Sequence, residues 1–485
     1  MTHKPASTSA SQPLWTADQI LKALGVTPTA ALPDMTGVSI DSRSLVPGDL
    51  FVALQDVRDG HDFVEAAFAK GAAAALIAQT HQAKLAGLGP LLPVKDPLQG
   101  LRALAAARRA QAQAKRLAVS GSVGKTGTKE ALRVMLSTFG PTHAAVASFN
   151  NHLGVPLTLA RLPLDAAFGV FEVGTNHPGE IAPLTQLVNP HIAVLTTVEK
   201  VHIENFASPE AIADEKATLY GGLPQGGVAI IPRDNRHYER LRAYAQTVSG
   251  CSILTFGAAT DADIQLLDVT LFPEFSQIRA RVCGKVLDYR FGAPGQHLVG
   301  NSLAVLGCAA ALGLDLNQAA DSLAQIRPPQ GRGERVVLRG QGITFTLLDE
   351  SYNANPASMR AALALLAQTP VAGAGRHIAV MGDMLELGTE APMLHQSMAE
   401  SVGEHKIDHV FAAGALMRHM FEALPAQCQA VWHPNAQDLI APLCATLKTG
   451  DVVMVKGSFS ARMGDVVAAL KAAYSDGAAM RPLVK

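Results

Sequence analysis

This chain carries no excess of charge of either sign. Across 485 residues, 40 lysines and arginines stand against 41 aspartates and glutamates, so no global field steers it onto nucleic acid or an anionic membrane. Long apolar runs are missing as well. The most alanine-rich stretch, 71–78, falls far short of the ~18 apolar residues of a membrane span. Cysteine is sparse: Cys251, Cys283, Cys308, Cys428 and Cys444 are odd in number and widely spaced. No pair has metal-ligand or redox spacing, which points to reduced thiols in a cytoplasmic protein. Residues 1–13 are rich in Ser, Thr and Ala without an apolar core, and read as a disordered leader and not a signal peptide. No internal repeat is found. What remains is a globular chain, 48% hydrophobic and 17% charged, long enough for about three domains with a core each.

The stretch 117–130 organises the rest. Leu117-Ala118-Val119-Ser120 has the length of a short buried strand. Gly121-Ser122-Val123-Gly124-Lys125-Thr126-Gly127 then turns sharply, and helical spacing follows from Glu130. Strand, loop and helix in that order surround the loop with N–H groups and a helix N-terminus of roughly half a positive charge. Polyphosphate suits that field, with Lys125 reaching the β/γ-phosphates and Thr126 offering its hydroxyl to Mg²⁺. Val119 stands where a full-length P-loop has its first glycine. A Gly-Lys-Thr triplet also occurs as a plain turn before a helix, but the flanking strand and helix argue against that here.

Three domains are expected, 14–115, 116–327 and 328–485. The first is a small α/β domain with a helix at 17–24, strands at 38–40 and 50–54, and a linking helix at 98–115. Arg43, after a strand, either grips a diphosphate or pairs with Asp41 or Asp49. The second alternates helices with strands at 168–173, 191–196, 228–231 and 252–256, a P-loop-type, mostly parallel sheet whose ligands gather at strand ends. Glu172 closes a run too apolar to bury a carboxylate alone, so Mg²⁺ or an arginine is expected beside it. His202 is either a ligand or a structural residue, and Lys216, beside Asp214 and Glu215, reads as part of a solvated face. The third has strands at 345–348, 377–380, 409–411 and 452–455, each ending in a polar turn, and makes a Rossmann-like doubly wound sheet. Asp349 accepts a ribose hydroxyl or caps the next helix. The fold class is α/β throughout.

Four segments carry a resemblance: Asn150-Asn151-His-Leu-Gly154-Val155-Pro156-Leu-Thr158-Leu159, Glu172-Val-Gly174-Thr-Asn176-His177-Pro-Gly179-Glu180-Ile181, Asp349-Glu-Ser351-Tyr352-Asn353-Ala354-Asn355-Pro356 and Gly382-Asp383-Met-Leu-Glu386-Leu-Gly388. With Gly295-Gln296-His297, Asn301 and Lys456-Gly457-Ser458, this ordered set resembles the Mur ligases, the ATP-dependent amino-acid-adding enzymes of peptidoglycan synthesis. The likeness spans nearly the whole chain. It implies a ligase that adds D-alanyl-D-alanine to a UDP-N-acetylmuramoyl-tripeptide through an acyl phosphate. The rival readings are another amide ligase of the same architecture, a folate polyglutamylating enzyme among them, and a nucleotide switch or scaffold.

Residue by residue, the resemblance implies that Gly121, Ser122, Val123, Gly124, Lys125, Thr126 and Gly127 hold the phosphates of ATP. Thr126 and Glu172 would take one Mg²⁺. His202 would take a second together with Lys216, whose amine carries an N-carboxylate formed from CO₂. Lys125, Glu172, His202 and Lys216 form the catalytic set. Asn301, Arg332 and Asp349 would contact adenine, phosphate and ribose. Ser42 and Arg43 belong at the uridine diphosphate end, Asn150, Asn151 and Thr158 along the tripeptide carboxylate, and Asn353, Asn355 and Lys456 with the dipeptide. A monomer is expected. Gly127, Ser148, Thr197, Glu350 and Phe459 depart from the family pattern. At 459 an arginine is usual, and Arg462 is the nearest substitute.

Overall fold

The computed structural model describes residues 13–56, 58–145, 148–199, 203–272, 274–327, 331–426 and 428–475. The helix Ala17–Leu24 stands where its pattern places it, because Thr16 and Gln19 exchange capping-box hydrogen bonds and Gly25, at φ 65°, ends it. Four short parallel strands, β1 (Gly37–Ser39), β2 (Asp49–Val52), β3 (Ala74–Ala78) and β4 (Leu91–Val94), follow in chain order as one sheet. Buried Trp15 donates its indole N–H to the carbonyl of Ala160, 2.8 Å away, and so ties this sheet to the next. The linking helix differs from expectation. It runs Pro97–Gln111, started by the Asp96 cap, and stops short of 115 because the amide of Lys115 bonds the carbonyl of Ala167 at 2.9 Å and opens a strand. Sheet pairing outweighs helical spacing there.

The second sheet has nine strands: β5 (Lys115–Ser120), β6 (Thr142–Ala144), β7 (Phe168–Glu172), β8 (Ile192–Leu195), β9 (Val228–Pro232), β10 (Ser252–Gly257), β11 (Ile264–Leu271), β12 (Ser276–Val282) and β13 (Lys285–Phe291). Their order is β13-β12-β11-β10-β9-β8-β5-β7-β6. From β6 to β11 all pairs are parallel, and both faces are covered. Leu117 and Val119 pack with Leu132 and Met135 on one side, while Ala118 packs with Val155 and Ile181 on the other. The antiparallel meander β11 to β13 was not expected. Its strands alternate buried and exposed residues because one face is wet. Strand order changes direction around β5, which brings the loop after β5 between the ends of β7 and β8.

The third sheet runs β14-β15-β19-β16-β17-β18, with β14 (Glu334–Gly340), β15 (Ile343–Glu350), β16 (His377–Gly382), β17 (His409–Ala413), β18 (Gln429–His433) and β19 (Val452–Lys456). The four expected strands are its parallel centre, and β14 and β18 are added at the edges. β14 is antiparallel, joined to β15 by Gln341 and Gly342, both at positive φ as a tight hairpin demands. No helix of the described residues is long and apolar enough to cross a membrane.

One buried ion pair holds the middle of this sheet. Asp451, before β19, accepts from the backbone N–H, Nε and Nη2 of Arg376, before β16, at 3.0, 3.2 and 2.7 Å, and from the amide of Lys448 at 2.8 Å. Removing Asp451 leaves the largely buried guanidinium of Arg376 with the carbonyl of Thr446 but no counter-charge. Asp451→Ala should therefore lower the unfolding free energy of this sheet by about 3 kcal/mol, read as a shifted urea midpoint for the transition that exposes Trp432.

Candidate active site

Two glycines shape the loop after β5. Gly121 has φ 146°, and a Cβ there would fall 2.0 Å from Thr196 Oγ1. Gly124 has φ 87°, and a Cβ there would fall 2.7 Å from Asn301 Oδ1. The backbone thus lies flush against the end of β8 on one side and the helix Gln296–Ala311 on the other. Three bonds fix it: Ser122 N to Thr197 O at 2.8 Å, Ser122 Oγ to Glu199 O at 3.0 Å, and Thr196 Oγ1 to Val123 O at 2.5 Å. The helix Lys125–Ser137 starts at once, so its first N–H groups and positive end face the space beyond the loop.

Lys125 donates to Gly121 O at 2.7 Å. Burial pushes its pKa down to about 8 against the opposing pull of Glu172, and Arg332 pushes it the same way as burial. The hydroxyl of Thr126 lies 3.2 Å from Ser148 Oγ. Glu172, the last residue of β7, is 1% exposed. Its Oε1 accepts from Asn150 Nδ2 at 2.8 Å, and among the described residues its Oε2 has no hydrogen-bond partner. A buried carboxylate oxygen without a donor, beside a hydroxyl and a phosphate-shaped loop, fits a hard divalent cation such as Mg²⁺. Asn301 Nδ2 is likewise buried and unpartnered, a donor facing the same space. The residues present therefore suit a nucleoside triphosphate with its metal ion.

Lys216 corrects the reading from its neighbours. Only Asp214 lies on a solvated face, paired with Arg240 at 2.9 Å. Glu215 is buried and accepts from the amides of Gly179 and Ile181 at 2.7 and 2.8 Å, which caps the helix Ile181–Val188. Lys216 itself is 1% exposed, and burial, with Lys125 nearby, drives its pKa well below that of an ordinary lysine. His202 lies outside the described residues.

The loop and Glu172 form one wall of a cavity of about 630 Å³, and the third sheet supplies the opposite wall with Arg332, Glu350, Tyr352, Asn353, Asn355 and Lys456. Lys456, ending β19, is 2% exposed and donates to Asn353 O at 2.8 Å with Glu350 at 3.5 Å. Burial lowers its pKa, and Glu350 opposes the shift. Arg332 lies 4.2 Å over the ring of Tyr352. Asn355 caps the helix Pro356–Gln368 through Ser358 while still lining the cavity.

Other candidates sit elsewhere. Asn151 accepts from Gly154 N at 2.9 Å, and the hydroxyl of buried Thr158 donates to Gly154 O at 2.9 Å, so both serve the helix Gly154–Ala160 and neither lines the cavity. Asp349 also stays out of it. Its carboxylate accepts from the amide and hydroxyl of Ser351 and faces Lys471 at 3.9 Å, so it closes a turn, and the next helix is capped by Asn355 and not by Asp349. Ser42 and Arg43 lie on the loop after β1, where Arg43 is 81% exposed and pairs with Asp41 at 2.7 Å. Arg462 turns to the surface with Asp465. Ser148, Thr196, Glu199, Glu350 and Tyr352 line the cavity although sequence reasoning did not place them there. Thr196, a polar residue at a strand end, was findable by the rule that ligands gather at such ends.

Among the described residues, Asp59, His61 and His81 approach one another closely enough to suggest a cation. The amide of Ala78 donates to His61 Nε2, which leaves the ring proton on Nδ1, given to Asp59 at 2.6 Å. Both nitrogens of that imidazole are used. The group is a structural brace and not a metal centre.

Comparison with known proteins places these features. Residues 34–109 match the description "Mur ligase family, catalytic domain", residues 119–309 "Mur ligase middle domain", and residues 331–459 "Mur ligase, glutamate ligase domain". The chain is 30% identical over 454 residues to the UDP-N-acetylmuramoyl-tripeptide--D-alanyl-D-alanine ligase of Rickettsia prowazekii, covering 94% of this chain and 99% of that one. It is 32% identical over 439 residues to the enzyme of the same name from Escherichia coli K12, covering 90% and 94%. In three dimensions it resembles crystal structure I of MurF from Acinetobacter baumannii, with a TM-score of 0.81 and 29% identity over 94% of this chain and 98% of that one. Each matched segment falls on one of the three sheets, the phosphate loop and Glu172 lie in the middle one, and on these grounds the chain belongs to the Mur ligase family.

Proposed function

We propose that the chain uses ATP to join D-alanyl-D-alanine to a UDP-N-acetylmuramoyl-tripeptide, giving UDP-N-acetylmuramoyl-pentapeptide, ADP and phosphate in peptidoglycan synthesis. One observation carries the reading: a phosphate loop with a cation-ready carboxylate on one sheet faces Arg332, Asn353 and Lys456 on another across one cavity. A nucleotide switch needs only the first wall. Joining two substrates needs the second. The names of the relatives supply the substrates themselves. In this division of labour 14–115 receives the uridine diphosphate end near Ser42 and Arg43, 116–327 binds ATP, and 328–485 brings in the dipeptide, all in a cytoplasmic monomer.

A carboxylate is a poor electrophile, so it must be activated. The tripeptide carboxylate attacks the γ-phosphorus and ADP leaves, which gives an acyl phosphate. The dipeptide amine then attacks the acyl carbon and phosphate departs. Lys125 and the amides at the start of its helix balance the charge gathering at the phosphoryl group. Arg332 adds a cation from the opposite wall, Asn301 offers its free donor to adenine, and Asn150 keeps Glu172 oriented. Mg²⁺ held by Thr126 and Glu172 would draw charge from the phosphates, a contribution of several kcal/mol. For a second ion we assign His202 and Lys216. Burial drives the pKa of Lys216 well below that of an ordinary lysine and so favours the neutral amine, which would take up CO₂, release a proton and offer the metal an N-carboxylate.

Four measurements follow. Purified protein with ATP and Mg²⁺ should release phosphate only when UDP-N-acetylmuramoyl-tripeptide and D-alanyl-D-alanine are both present, with the pentapeptide product seen by mass spectrometry. ATP binding without turnover under the full set refutes the ligase. Because Lys125 titrates near pH 8 in the free protein, raising the pH through that value discharges it. The value of kcat/KM for ATP should fall above about pH 8 and the fall should vanish in Lys125→Arg, whereas a wild-type profile flat to about pH 9.5 counts against this role. Stripping dissolved CO₂ should lower turnover by about tenfold or more, with recovery on adding bicarbonate. A carbamate carbon resonance should appear in wild-type protein given labelled CO₂ and be absent from Lys216→Met. Without that resonance, the carbamate assignment fails.

A further inference from the structure

Apolar side chains crown neighbouring strands of the third sheet. β15, β19 and β16 are adjacent, and Tyr352, Phe459 and Leu385 follow them in the loops at their carboxyl ends. Phe459 is 74% exposed, more than any other large hydrophobic side chain among the described residues, and Leu385 is 36% exposed.

This exposure belongs to a fixed backbone. Ser458 N donates to Asp383 O at 3.0 Å, Ser458 Oγ accepts from the amide of Leu385 at 2.9 Å, and Ala461 N donates to Ser458 O at 2.9 Å. Gly457 is pressed so close to Met463 that a Cβ on it would lie 2.5 Å from that side chain. These bonds hold the backbone that carries Phe459. Its ring centroid stands 5.8 Å from that of Tyr352, tilted by 51°. Tyr352 lines the cavity and carries Arg332 on its face. Phe459 therefore extends the aromatic surface of Tyr352 outward from the cavity, just past Lys456.

Resting on the reaction proposed above, we propose that Phe459, with Tyr352 and Leu385 beside it, receives a side-chain methyl of the incoming dipeptide and sets its preference for alanine at the C-terminal position. The dipeptide brings an amine, two methyl groups and a carboxylate. Lys456 supplies positive charge for the carboxylate on this wall, but it does not distinguish alanine from glycine. A rigid aromatic plane does, because a methyl group covers it and a hydrogen atom leaves it wet. An arginine at 459, as the family resemblance led one to expect, offers charge there. Phenylalanine shifts selection to apolar shape.

The test is the ratio of kcat/KM for D-alanyl-D-alanine to that for D-alanyl-glycine. In the wild type it should be about tenfold or more; Phe459→Ala should bring it to about two, and Phe459→Leu should keep most of it, with the KM for ATP within about twofold throughout. A ratio preserved in Phe459→Ala overturns the proposal even if the dipeptide KM rises, since a merely structural loss weakens both dipeptides alike. A wild type active with both at equal efficiency also overturns it. Wild-type protein that turns over neither dipeptide instead overturns the underlying ligase reading.

Discussion

The reactive region depends on charge placed at the ends of strands that have no wet face. β7 is covered on both sides, so its last residue, Glu172, leaves water whether or not it finds partners. Asn150 satisfies one oxygen, and nothing among the described residues satisfies the other. A buried carboxylate in that state is costly, and a divalent cation is a remedy of matching strength. Lys125 meets the same problem with the opposite sign, its pKa pushed down to about 8 by burial and raised again by whatever anion the loop receives. The field is built before a ligand arrives, because the loop glycines sit too close to Thr196 and Asn301 for the backbone to relax.

The third sheet repeats this device from across the cavity. Lys456 ends β19 in a buried setting and is held by Asn353 O and Glu350. The chain between the two sheets matters too. Gly331 and Gly333, at φ 74° and 97°, turn it sharply, and hydrogen bonds from Tyr352 N to Gly331 O and from Gly333 N to Asp349 O dock it onto β15. Arg332 lies between those two bonds, so it travels with the third sheet while reaching toward Lys125, whose charge it already feels. One linker residue thereby couples the position of the dipeptide wall to the phosphate loop.

Periodicity was enough to find the helix 17–24, the core of the middle sheet and the four central strands of the third, because in each the apolar pattern and the final burial agree. It missed the meander β11 to β13 and the edge strands β14 and β18, whose mixed burial looks like loop until a neighbour supplies the hydrogen bonds. It ran the linking helix too far, since nothing local in Lys115 announces its pairing with β7. Spacing also misjudged Lys216. Its acidic neighbours suggest a solvated face, but Glu215 caps a distant helix and Lys216 is buried near Lys125.

By itself, the order of residues determined the three-part α/β plan, the phosphate loop and the family motifs, all of which are written in contiguous segments with local geometry. Only the tertiary structure decided which members of those motifs share a cavity. Within Asp349-Glu350-Ser351-Tyr352-Asn353, Asp349 closes a turn on Ser351 while Glu350, Tyr352 and Asn353 face the opposite wall. In Asn150-Asn151, one side chain orients Glu172 and the other caps a helix. Neighbours in sequence point apart in strands and turns, and what each side chain meets is set by elements far along the chain.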